Sequence, residues 1–244
     1  MFNVKLVCEG ITDKIILEAV LFAYLQSDKF TINCIQPESS KIEGNPYEHG
    51  TGWKGVRSWC QMIQAAGGFE EVRALASEVD LLIIHVDAEI VFEAENNAGQ
   101  PCPPPEQNVI TAERIVMSWL GLQELPENLV IWVPSMMTEA WILRDLFPCL
   151  PESSTCLDHA ATPTCIECIS DPKTTLLGKK PKLVQRKNRL KNGRRISEVK
   201  PITSAYNGIR GSISQAWPDL VSNLWSAARL RDHLSRALSI PYGT

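Results

Sequence analysis

The chain has 244 residues, 44% of them hydrophobic, with 24 Lys and Arg against 28 Asp and Glu for a formal charge of −4. That length fits one domain with an appendage, or two small ones, and the apolar content supports a buried core. No apolar run reaches a membrane span and charges interrupt every candidate, which excludes a membrane-spanning class. The opening MFNVKLVCEG runs straight into a strand pattern, without the basic, apolar and cleavage regions of a signal peptide, so a cytoplasmic protein is expected.

The pattern predicts a strand at Val4–Cys8 and a helix over Ile11–Leu25, with Ile15, Ile16, Ala19, Val20, Phe22 and Ala23 on a wide apolar face. Strand two follows at Phe30–Ile35, then a polar, Gly- and Pro-rich loop over Gln36–Thr51. Helices are expected at Lys54–Ala66 and Glu70–Ser77, split by Gly67-Gly68. Strand three, Leu81–Val86, is unbroken apolar, as in a sheet covered on both faces. Glu93–Gln107 reads as a loop, Thr111–Leu120 as a helix, Val130–Val133 as strand four and Met137–Leu146 as a helix stopped by Pro148. Alternating strands and helices give an α/β class: a Toprim- or Rossmann-like open sheet of about four mostly parallel strands flanked by helices. The pattern ends near Phe147. Residues 1–147 are therefore read as the core and 148–244 as an extension. The extension divides into a Cys-rich loop (149–168), a basic segment (171–200) and a helical end (215–240), with helices over Leu220–Ala228 and Leu230–Leu238.

Three acidic clusters follow the apolar runs. Glu9 ends the first, Asp87 and Glu89 end the third, and Glu139 lies just past the run Leu129–Val133. Carboxylates placed after several parallel strands converge at the carboxyl edge of the sheet. Such carboxylates repel one another unless a divalent cation neutralises them. Magnesium or manganese on Glu9, Asp87 and Glu89, with catalytic roles for these three and Glu139, points to phosphodiester chemistry. Asp13, four residues after Glu9, faces the same crevice or is an ordinary first-turn acid. His85 reads as a core histidine.

The motifs VCEGITDKIIL and LLIIHVDAE resemble the Toprim domain, shared by topoisomerases, primases, overcoming-lysogenization-defect nucleases and small bacterial nucleases. The resemblance implies a proton-transfer role for Glu9 and magnesium held by the paired acids. The family pattern reads Asp-x-Asp, and here the second acid is Glu89. VPSMMTEAWILRDLF is similar to an element of small Toprim-like proteins often encoded beside ATPases in phage-defence loci. It implies Glu139 as a further site carboxylate, an ATPase partner and an antiphage role. The resemblance covers roughly the first 147 residues.

Two features lie beyond it. Cys156, His159, Cys165 and Cys168, with Cys149 upstream, have spacings suited to a structural zinc, or form a loop of reduced cysteines. Residues 171–200 hold eleven basic and two acidic residues, a local charge of +9. The remaining 13 basic and 26 acidic residues carry −13. Lys179, Lys180, Lys182, Arg186, Lys187, Arg189, Arg194 and Arg195 are candidate phosphate contacts. A solvated charged helix, or a surface docking an acidic partner, fits the same charge.

The expected function is a metal-dependent nuclease acting on DNA or RNA. A non-catalytic subunit that binds nucleic acid or an ATPase partner is the alternative from another class. Nucleotidyl or phosphate-monoester chemistry is a second enzymatic one. Seven Trp leave room for an oligomer interface.

Overall fold

A computed structural model describes residues 1–37, 49–93, 105–148, 150, 166–180, 182–191 and 194–239. Four strands form one parallel sheet: β1 (Phe2–Val7), β2 (Phe30–Gln36), β3 (Leu81–His85) and β4 (Leu129–Trp132), in the order β2-β1-β3-β4. The expected α/β class with a helix-flanked parallel sheet is what the chain forms. Side chains alternate across the sheet, as strand geometry requires. Val4 and Leu6, Leu81 and Ile83, and Val130 and Trp132 enter one apolar cluster. Val7, Leu82, Ile84, Leu129 and Ile131 enter the other. Both faces are buried, which explains why β3 reads as an unbroken apolar run.

The first face is covered by α1 (Ile11–Leu25), α5 (Glu139–Leu146), α7 (Thr203–Asn223) and α8 (Trp225–Leu238). The second is covered by α2 (Gly52–Ala66), α3 (Phe69–Ser77) and α4 (Pro105–Leu120). Helix α1 lies between the sheet and α7, so it is buried nearly all round. Leu17 and Leu21 are fully buried there, whereas Phe22, expected inside, is 48% exposed. Each fully buried leucine contributes roughly 1.5–3 kcal/mol.

Helix α4 begins six residues before the expected Thr111. Pro105 opens it, at a position where the missing N–H costs nothing. Helix α7 begins well before the expected Leu220 and runs through Pro218. Gly208 and Gly211 hide it from a propensity reading. Burial of Tyr206, Ile209, Ile213, Trp217 and Leu220, three or four residues apart, overrides that weakness. The basic segment contains a short helix, α6 (Pro172–Lys179), and an antiparallel hairpin of β5 (Val184–Lys191) and β6 (Arg194–Pro201).

The helical end and the sheet share a single apolar cluster. A column of rings joins them: His85, Trp132, Trp141 and Trp217, with successive centroids 4.2, 5.6 and 5.9 Å apart. Glu167, 1% exposed, ties α8 down. Its carboxylate accepts from the Trp225 N–H at 2.6 Å, the Ser226 N–H at 3.0 Å and the Ser226 hydroxyl. A carboxylate at a helix N-terminus satisfies orphan donors and favours the helix dipole. His233 of α8 also reaches the carbonyl of Ile131 in the outer strand β4 through Nδ1, at 3.3 Å. Among the described residues no helix is long and apolar enough to cross a membrane.

Candidate active site at the carboxyl edge of the sheet

Strands β1 and β3 are neighbours, yet the helix after β1 lies on one face and the helix after β3 on the other. Chain direction therefore diverges between them and opens a crevice beyond their carboxyl ends, where open α/β sheets hold ligands. Glu9, Asp87 and Glu89 meet there. One carboxylate oxygen from each lies within 4.8 Å of the others.

The local backbone fixes these groups. Strand β3 ends at His85. Asp87 is extended and precedes a 3-10 turn, Ala88–Phe92, that carries Glu89. The two acids converge through this turn rather than along one strand face. The N–H of Asp87 donates to Glu9 Oε1 at 2.8 Å and links the β1 and β3 ends. The carbonyl of Glu9 accepts from the N–H of Gly52, which opens α2. Gly52 has φ +70°, a conformation that favours glycine. The loop after β4 completes the wall. The N–H groups of Ala88 and Glu89 donate to the carbonyls of Pro134 and Met136 at 3.2 Å. Met136 holds φ +56°, a left-handed conformation costing a side-chain residue roughly 1–3 kcal/mol. Strain of this kind concentrates at sites where the surrounding contacts over-determine the backbone.

Asp87 is 4% exposed, and its Oδ1 accepts from the N–H of Thr138 at 3.2 Å and the hydroxyl at 3.4 Å. Glu139, 3% exposed, begins α5. Its Oε1 accepts from the Tyr206 hydroxyl at 2.7 Å, and its Oε2 lies 3.7 Å from Lys173 Nζ. Lys173 Nζ is also 3.8 Å from Asp87 Oδ2. Glu139 thus shares the crevice through Lys173 but stands outside the three-acid cluster. Asp13 is buried in the same crevice. Its Oδ2 accepts from the N–H of Gly10 at 2.8 Å and lies 3.6 Å from His85 Nδ1. His85 is fully buried between Asp13 and Asp87.

The electrostatics follow from five carboxylates sharing a space poor in water. Burial, then the charge of Asp13, pushes Glu9 up to about 8. Burial, then Glu139, pushes Asp13 up to about 7. Burial and Glu9 hold Asp87 well above the usual carboxylate range, and burial raises Glu89. Burial, helped by Lys173, lowers His85 to about 3, so its ring is neutral. Burial works against the Lys173 ammonium, but Glu139, Asp87 and Glu89 outweigh it and raise the group. Burial and Glu139 keep the Tyr206 phenol protonated, as a donor to Glu139 requires.

The donor set suits a hard divalent cation. It offers three close carboxylate oxygens and no soft ligand, and its acids repel one another in the absence of positive charge. Lys173 and Tyr206 carry no motif that marks them as site residues, and Thr138 lies in VPSMMTEAWILRDLF, where the resemblance singles out only Glu139. The one signal near Lys173 is Asp171-Pro172, a helix start whose Asp171 carboxylate accepts from the Thr174 N–H at 2.8 Å.

Of the proposed zinc ligands, Cys156, His159 and Cys165 lie outside the described residues, as does Cys149. Cys168 ends a short 3-10 turn, Ile166–Cys168. Lys179 and Lys180 lie at the end of α6 and Lys182 just beyond it. Arg186, Lys187 and Arg189 lie on β5, and Arg194 and Arg195 on β6. Lys179, Lys180, Lys182, Arg186, Lys187 and Arg195 are exposed.

Compared with protein-family models, curated proteins and solved structures, the chain matches none of them.

Proposed function

We propose that this chain is a Toprim-type phosphodiesterase that uses magnesium or manganese to cut DNA or RNA. The observation that carries the reading is the convergence of Glu9, Asp87 and Glu89 within 4.8 Å at the crevice between β1 and β3. These three residues would hold the cation, which supplies charge stabilisation for the scissile phosphate. On the sequence resemblance, Glu9 is also the group that would move a proton at the scissile phosphate. The Asp87 N–H orients it. Thr138 holds one oxygen of Asp87 and leaves the other turned toward the crevice. The exposed cations of α6 and the hairpin would draw a phosphate backbone toward an otherwise acidic body. On the sequence resemblance, the chain serves as effector of an ATPase-linked antiphage system.

The test incubates labelled single- and double-stranded DNA and RNA with the purified chain and manganese. Cleavage should disappear with chelator and fall at least about a hundredfold in Asp87→Asn. Cleavage unchanged in Asp87→Asn would sink the reading. A second reading, a non-catalytic subunit, draws support from Lys173, which already gives Asp87 and Glu139 a positive partner. On that reading the folded chain binds nucleic acid or its partner equally well as wild type and as Asp87→Asn, and cuts nothing.

A further inference from the structure

We propose that Lys173 is a built-in second cation of the crevice, so that the chain takes one divalent ion and not a pair. The inference rests on the metal-dependent reading above and deepens it.

Lys173 is the second residue of α6, a helix anchored by the Asp171 cap with Pro172 in its first turn. That anchoring directs a residue of the basic segment inward, while Lys179, Lys180 and Lys182 stay exposed. Its ammonium lies 3.8 Å from Asp87 Oδ2 and 3.7 Å from Glu139 Oε2. A second divalent ion shared by these two carboxylates would have to occupy the space that the ammonium fills.

Glu139 is committed to this arrangement at both oxygens. Oε1 accepts the hydroxyl of Tyr206, a residue 1% exposed, and Oε2 faces Lys173. Glu139 thus faces Lys173 with Oε2 while Tyr206 fixes its other oxygen. The other acid, Asp13, lies outside the three-acid cluster, and its Oδ2 accepts the Gly10 N–H. Beside it, His85 Nδ1 is fully buried and has no hydrogen-bond partner.

The charge balance points the same way. Glu9, Asp87 and Glu89 form one compact anionic group, and Glu139 with Asp87 forms a second that overlaps it. Paired-metal phosphodiesterases place one ion at each of two such groups, to stabilise the attacking and leaving oxygens. An ammonium is a compact point charge with three donors and can take the stabilising share at a phosphate oxygen. It cannot generate a hydroxide nucleophile, so the two positions are not equivalent.

The test counts bound manganese per chain, by calorimetry and by the electron-paramagnetic signal of free manganese. It uses wild type, Lys173→Arg and Lys173→Gln, each checked for fold by circular dichroism. The expected result is one ion in wild type and in Lys173→Arg, and two in Lys173→Gln. Two ions in wild type, or a single ion in folded Lys173→Gln, overturns the inference and leaves the metal-dependent reading standing. No ion in any variant overturns both.

Discussion

The crevice and the β5–β6 hairpin are built in opposite ways. In the crevice the charged groups are buried or half-buried, and Glu9, Asp87 and Glu139 are each held by a neighbour from another element. Asp87 holds Glu9, Thr138 holds Asp87, and Tyr206 and Lys173 hold Glu139. On the hairpin Arg186, Lys187 and Arg195 are exposed, and their charge is set by number rather than placement. Geometry controls the first region and net charge the second. Substitutions should therefore act on chemistry and folding in one, and on long-range attraction in the other.

The largest effect is expected where the C-terminal helices support the crevice. Trp217→Ala removes a fully buried ring from the column that ends at His85 and should cost about 3–5 kcal/mol in denaturant unfolding. Trp217→Phe should cost far less, because the indole N–H it removes has no hydrogen-bond partner. Equal losses would break the claim that packing, and not polarity, matters there. Glu167→Gln comes next. It weakens the carboxylate that caps α8 and should cost about 1–3 kcal/mol in the same assay.

The pH dependence of the metal-free protein is smaller and has a definite sign. Glu9 is raised from 4.5 to about 8, and Asp13 from 3.8 to about 7. The folded chain thus binds more protons than the unfolded chain across that window, and these groups make stability fall as pH rises from about 4.5 to 8. Manganese should flatten this fall, and its binding near pH 7 should release protons, measurable as a heat that varies with the buffer's ionisation enthalpy. A metal-free stability that rises over the window would contradict the crowding of acids in the crevice. The smallest folding effect belongs to the hairpin. Arg186→Glu with Lys187→Glu should change stability by no more than about 0.5 kcal/mol. The same pair should weaken duplex DNA binding and lower its salt slope by roughly 0.9 for each phosphate that is no longer neutralised. An unchanged slope would remove the hairpin from any nucleic-acid surface.

The order of strands and helices through Leu146 was legible because apolar runs and amphipathic periods are local signals. Convergence of Glu9 with Asp87 and Glu89 was legible for a related reason: parallel strands put their carboxyl ends on one edge. What escaped was long-range. Nothing around Lys173 or Tyr206 separates a residue turned into the crevice from one facing water. Lys173 stands 34 positions beyond Glu139 and 86 beyond Asp87, and Tyr206 stands 67 beyond Glu139. Helix α7 escaped because Gly208, Gly211 and Pro218 argue locally against it, and only packing on α1 and the sheet overrules them. The hairpin had a local sign that charge obscured. Asn192-Gly193 is the dipeptide favoured between two paired strands.

The most direct measurement of the central claim is manganese titration calorimetry at constant pH on wild type and Asp87→Asn. The substitution keeps a side-chain oxygen that can accept from Thr138 and removes the charge, so the fold should persist. Saturable binding in wild type and its disappearance in the variant is the predicted result. Equal binding in both, or none in either, would contradict a metal centre built on Asp87.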